Sequence, residues 1–242
     1  MSSNPLLKRD FTQEAAIQGK PMTISGAINK TAMLLGIVVL VGYYTWSICA
    51  SGYSDRVSML ISGSAIAGLI LAVITAFNPK ASPITAPVYA ICEGTIVGAV
   101  SYAYGQMFQG IVFNALAITI LVLFSMLFLY KAKVIQATDK FRKILLISTI
   151  AVAIFYFAGF IGALLGHPMT IFNGGLIGII VSIVFCIIAA FNFIIDFDYI
   201  ERGEKNMFPK YCEWYGAFVL LVTLVWLYLE VLRVLAQLNN RD

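Results

Sequence analysis

The chain has 242 residues, 60% of them apolar and only 12% charged, whereas a soluble domain carries roughly a quarter of its residues charged. That composition excludes an ordinary soluble protein and points to one all-α, polytopic membrane domain. Sixteen Lys and Arg against twelve Asp and Glu leave a net charge of +4, too small and too scattered for a nucleic-acid partner and better read as a topology signal.

Residues 1–28 are expected to form a polar N-terminal segment on the cytoplasmic side, and residues 29–242 a seven-helix transmembrane domain. The segment carries Lys8, Arg9, Asp10, Glu14 and Lys20 and lacks the apolar stretch and small-residue cleavage site of a secretory signal. Apolar runs of about 20 residues predict spans at 31–51, 57–77, 84–104, 108–130, 144–166, 170–195 and 215–238. The links Gly105-Gln106-Met107 and His167-Pro168-Met169 are short enough to force antiparallel hairpins. Lys and Arg fall mainly on one side. Lys8, Arg9, Lys20, Lys30, Lys80, Lys131, Lys133, Lys140, Arg142, Lys143, Arg202, Lys205 and Lys210 share it, with only Arg56, Arg233 and Arg241 opposite. The bias predicts a cytoplasmic N-terminus and, with seven spans, a C-terminus outside.

Several chemistries are excluded by missing residues. Cys49, Cys92, Cys186 and Cys212 show no CxxC spacing, and the single histidine, His167, cannot build a site on paired histidines. The nucleophile elbow, the HExxH helix, the P-loop and the GxGxxG turn are all absent, and the seventh span has no Lys for a retinal Schiff base. No enzyme and no resident cofactor are expected. Small residues four apart, Gly94 with Gly98, Gly162 with Gly166 and Gly174 with Gly178, suit close helix contacts within the bundle or a dimer face.

The ionisable residues inside or beside the spans are the candidate functional groups, because each demands a partner or a wet cavity. Glu93 lies about nine residues into the third span, roughly 13 Å deep, where a carboxyl suits a proton or cation gate or a hydrogen bond between helices. Asp196, Asp198 and Glu201 close the sixth span with Arg202 and Lys205 just beyond. Clustered carboxylates there suit Ca²⁺, with Asp196 and Asp198 as candidate ligands, or form a solvated loop balanced by its own basic residues. Asp198 and Glu201 share a helix face at i,i+3. Glu230 stands three residues before Arg233, the spacing of an ion pair within one helix, or faces the bundle axis and gates a polar path.

The segments Pro87-Val88-Tyr89-Ala90-Ile91-Cys92-Glu93-Gly94, Asp196-Phe197-Asp198-Tyr199-Ile200-Glu201-Arg202-Gly203, Glu213-Trp214-Tyr215 and Leu224-Val225-Trp226-Leu227-Tyr228-Leu229-Glu230 carry a resemblance. The chain resembles the Bax-inhibitor/YccA family in its bacterial branch, over essentially its whole length. The resemblance implies seven helices with the last one central, a place in the cell (inner) membrane, and a pH-sensitive Ca²⁺ leak with Ca²⁺ as the permeant ion. It also implies two aspartates sharing a proton, one near the end of the sixth helix and one in the seventh. Asp196 or Asp198 resembles the first, and Glu230, within Leu227-Tyr228-Leu229-Glu230, resembles the second, with Glu in place of Asp. Glu93, Glu201 and Arg233 complete the candidate set. The competing function is a non-conducting regulator of membrane-protein quality control, or of a membrane protease, acting through helix contacts in the bilayer.

Overall fold

In the computed structural model, which describes residues 21–52, 54–166 and 175–240, every apolar run becomes one long helix. In chain order these are α1 (Ile24–Ala50), α2 (Ser54–Phe77), α3 (Ser82–Met107), α4 (Ile111–Lys131), α5 (Asp139–Leu164), α6 (Leu176–Lys205) and α7 (Cys212–Asn239), with a 3₁₀ turn at Pro79–Ala81 ahead of α3. All seven are long and apolar enough to cross a bilayer. Large apolar side chains such as Leu40, Met59, Phe113 and Ile147 are exposed, the outward face expected where lipid is the solvent. The expectations for residues 1–20, the turn His167-Pro168-Met169, Gly174 and Arg241 fall outside the described residues.

Two helix ends run furthest beyond the hydropathy reading. Helix α1 begins at Ile24, ahead of residue 31, because Thr23 is its N-cap and accepts from the Gly26 backbone N–H at 3.0 Å. Helix α6 runs on to Lys205 rather than stopping near residue 195. Its last turns are polar, yet they are held by i,i+4 pairs, Asp198 with Arg202 at 2.7 Å and Glu201 with Lys205. Asp196, Asp198 and Glu201 therefore lie on a helix and not in a loop.

The chain divides into two compact units, Met1–Gly98 with Asp198–Leu221, and Ala99–Phe197 with Val222–Asp242. Helix α7 is the most buried of the seven. Of its most apolar stretch 56% is buried, against 50% for α3, 44% for α6 and at most 22% for the others.

In the first unit α1 crosses α3 at glycines. A Cβ on Gly94 would stand 2.9 Å from the Val38 carbonyl oxygen, and one on Gly98 would overlap the Gly42 carbonyl. The Gly94/Gly98 pair is thus used for packing within the chain. Gly98→Ala is expected to destabilise the protein by about 1–3 kcal/mol through overpacking against backbone. Thermal unfolding in detergent checks this, and an unchanged midpoint would mean that the two helices part freely.

The second unit packs aromatic rings between α5 and α6, with Phe155 and Tyr156 at 5.4 and 5.5 Å from Phe185 and Phe141 at 5.9 Å from Phe191. Asn192 of α6 donates to the Thr149 hydroxyl of α5 at 3.0 Å and to its own helix at Ile188 O at 2.9 Å. Such a bond supplies attraction where apolar burial alone does not distinguish a neighbouring helix from lipid.

Candidate functional site

The second unit holds a line of buried polar side chains on α7. Thr223, Glu230 and Gln237 recur every seven residues, a spacing that returns to the same helix face every two turns. They are 6%, 1% and 4% exposed, so this face is polar although buried. From Thr223 to Gln237 the line runs about 21 Å at 1.5 Å per residue, a large part of a hydrocarbon core about 30 Å thick.

At one end Asp196 of α6 accepts a hydrogen bond from the Thr223 hydroxyl at 2.6 Å. Asp196 is buried, and among the described residues no Lys or Arg lies within ion-pair distance of it. Ser182 sits fourteen residues earlier on the same face of α6. Its hydroxyl is buried and has no partner among the described residues.

Glu230 occupies the middle. Its carboxylate accepts from the Tyr156 hydroxyl of α5, from Trp226 Nε1 at 3.0 Å and from the Arg233 guanidinium at 3.0 Å. Arg233 also donates to the Tyr156 oxygen and lies over that ring, 5.1 Å from its centroid. The ion pair expected from the i,i+3 spacing is present, inside a network that also ties α5 to α7. Ser101 and Tyr228 share a further buried hydrogen bond at 2.7 Å, between α3 and α7. Beyond Arg233 a cavity of about 440 Å³ is lined by Tyr104, Arg233, Gln237 and Asn240 with apolar neighbours. The polar line thus ends at a space large enough for water.

The remaining candidates are placed elsewhere. Glu93 belongs to the first unit, half-buried, and accepts from the Tyr89 hydroxyl one turn back on its own helix. Its hydrogen bond is therefore within α3 and not between helices. Asp198 pairs with Arg202, and Glu201 with Lys205. Asp196 and Glu230 are not joined. Asp196 of α6 meets α7 at Thr223, seven residues before Glu230 on that helix, and Glu230 is paired with Arg233 instead. Asp196 and Asp198, the candidate Ca²⁺ ligands, stand two apart on α6 and so point about 200° from each other. Among the described residues no three His, Cys, Asp or Glu side chains gather closely enough to hold a metal ion.

Four contributors were not legible as such in the sequence, namely Thr223, Tyr156, Trp226 and, in the first unit, Glu213. The signal for two of them was present. Thr223 precedes Glu230 by seven and Trp226 precedes it by four, so all three share one face. Tyr156 carries no such mark, being one ring among several in α5. Glu213 is fully buried at the start of α7. It accepts from the Thr23 backbone N–H at 2.9 Å and the Thr23 hydroxyl at 3.0 Å, and forms ion pairs with Lys30 and with Lys210, the latter at 2.7 Å. A side chain on Gly26 would overlap its carboxylate, which leaves glycine as the residue that makes room for it.

No curated protein and no solved structure matches the chain significantly. The family model described as Bax inhibitor 1 like matches residues 4–240. With seven spanning helices, a buried last helix and a match of that extent, the chain belongs to the Bax inhibitor 1-like family of multi-pass membrane proteins.

Proposed function

We propose that this is a non-enzymatic, channel-like protein of the cell's inner membrane that lets Ca²⁺ pass down its gradient under the control of pH. The N-terminus is assigned to the cytoplasm by the positive-inside bias. The observation that carries the reading is the buried polar face of α7, from Thr223 at Asp196 through Glu230 to Gln237 at the cavity. Polar groups inside a span work against insertion and are retained where an ion or proton has to pass.

Asp196 is the proton-responsive group of this scheme. Protonated, it is a neutral partner for the Thr223 hydroxyl. Once the proton leaves, a charge without a basic partner stands inside the bundle, which works against the closed packing and offers an oxygen ligand to a passing cation. Loss of a proton thereby biases a two-state bundle toward opening. In this chain the carboxyl–carboxyl pair implied by the resemblance is replaced by a carboxyl–hydroxyl pair, Asp196 with Thr223, and Glu230 serves as a fixed ion pair further along.

The test is Ca²⁺ flux into proteoliposomes from about pH 6 to about pH 8, the range over which a pH-gated leak of this kind has to respond. Flux is expected to rise severalfold with pH in the wild type. Asp196→Asn should flatten that rise and Thr223→Asp should displace it, while Glu93→Gln, outside the polar face, should leave it intact. Folded wild-type protein giving no flux above empty liposomes would overturn the reading in favour of a regulator acting through helix contacts.

A further inference from the structure

The hairpin joining α4 and α5 concentrates the charge of the chain. Between residues 131 and 143 stand Lys131, Lys133, Lys140, Arg142 and Lys143 against one acid, Asp139. Its local charge of +4 equals the net charge of the whole protein. Among the described residues, basic side chains elsewhere are largely matched by acids. Lys30 and Lys210 meet Glu213, Arg202 meets Asp198, Lys205 meets Glu201 and Arg233 meets Glu230. In the hairpin Arg142 approaches Asp139 at 3.8 Å. Lys131, Lys133, Lys140 and Lys143 are exposed, and among the described residues none has an acidic side chain within ion-pair distance. A topology signal requires only that positive charges be present on one side. It does not require that they be left uncompensated in one place.

The turn that carries these lysines is built. Lys133 adopts a left-handed backbone, φ 57°, and ends α4 with its own N–H on Tyr130 O at 3.0 Å and the Val134 N–H on Leu129 O at 3.0 Å. The Thr138 hydroxyl accepts from the Phe141 N–H at 3.3 Å and starts α5. Both helices are spans, Ile111–Lys131 and Asp139–Gly162, so the lysines are held within a turn or so of the ends of the hydrocarbon-crossing segments. That is the level of lipid phosphates. Val134, at the tip between them, is 68% exposed, an apolar side chain that the boundary between headgroups and acyl chains accommodates.

We infer that the α4–α5 hairpin is a binding surface for anionic phospholipid headgroups, with Lys131, Lys133, Lys140 and Lys143 contacting the phosphates. Lysine is suited to this as a strongly hydrated point charge on a flexible stem that meets several phosphates without a fixed geometry. The surface is independent of any conducting path, since none of its residues lies on the polar face of α7.

The experiment uses the purified full chain, released from detergent and titrated with phosphatidylglycerol or phosphatidylcholine, with bound lipid counted by native mass spectrometry. The wild type should retain phosphatidylglycerol in preference. Replacing the four residues together (Lys131→Gln, Lys133→Gln, Lys140→Gln, Lys143→Gln) should reduce that preference by roughly tenfold or more. The same four changed to Arg should keep it, and so should Lys205→Gln, which removes a lysine already paired. Raising the salt should weaken the preference in the wild type. Equal occupancy by the two lipids in the wild type overturns the inference, as does a preference that survives in the glutamine variant. Should the fourfold variant fail to fold, the pairs Lys131→Gln with Lys133→Gln and Lys140→Gln with Lys143→Gln are measured separately, and each is expected to give a partial loss.

Discussion

Glu213→Ala is expected to destabilise the protein by about 3–5 kcal/mol, the usual consequence of removing one partner from a buried ion pair. The carboxylate is fully buried and holds four groups, the Thr23 N–H, the Thr23 hydroxyl, Lys30 and Lys210. Lys210 is half-exposed, with 49% of its side chain accessible, and recovers water when released, so its share of the loss is small. Lys30 is only 18% accessible, and it stands 5.4 Å from the Trp214 ring centroid. Most of the effect falls on Lys30 and on the start of α1, where Thr23 both caps the helix and leans on Glu213. Glu213→Gln, which keeps acceptor capacity and loses the charge, should fall between the two. Chemical unfolding in mild detergent measures the series, and an alanine variant with wild-type stability would show that α1 is held by its apolar face alone.

Glu230→Ala is the second substitution with a large effect, again about 3–5 kcal/mol. It takes the carboxylate from Arg233 and the acceptor from Tyr156 and Trp226 at the middle of the most buried helix. Arg233 retains its bond to the Tyr156 oxygen, but its charge loses its counter-ion within the span. A double-mutant cycle separates this from lost packing. Arg233→Leu alone leaves Glu230 as the uncompensated charge, whereas Glu230→Leu with Arg233→Leu removes both and should recover most of the stability. A double variant as unstable as the sum of the singles would mean that the pair carries no coupling energy.

Much of this architecture can be read from hydropathy, because lipid imposes one requirement on every span, about 20 apolar residues with all backbone groups bonded internally. That is why seven runs predict seven helices. The ends are less legible because they are set by polar groups that hydropathy counts only as interruptions. Asp198, Glu201, Arg202 and Lys205 read as a loop by composition, yet their i,i+4 pairing carries α6 a further ten residues past Ile195. Thr23 reads as part of a polar segment and is a helix cap.

The site divides along the same line. Glu230 with Arg233 was legible, since both partners lie on one helix at a spacing that geometry fixes. The partner of Asp196 was not, because Thr223 is an uncharged residue on another helix, and which α7 position faces α6 depends on how the two pack. The resemblance implied Glu230 as its counterpart, whereas the group bonded to Asp196 is the Thr223 hydroxyl. Glu93 shows the converse. Its depth in the span was legible, while its hydrogen bond from Tyr89 within α3 takes the place of the link between helices that its isolation suggested.

The contacts between the start of α1 and the loop before α7 also set a clock. The Met22 N–H bonds to Phe208 O at 2.7 Å, Pro21 bridges to Pro209, and Thr23 reaches Glu213 across 190 positions of sequence. During synthesis at about 5–20 residues per second, roughly 10–40 s separate the emergence of Thr23 from that of Glu213. Over that interval Lys30 has no Glu213 to neutralise it and acts as a bare positive charge at the mouth of the first span, the kind of charge by which an inserting helix takes its orientation. The ion pair that later fixes the folded protein cancels that charge only after the orientation has been chosen.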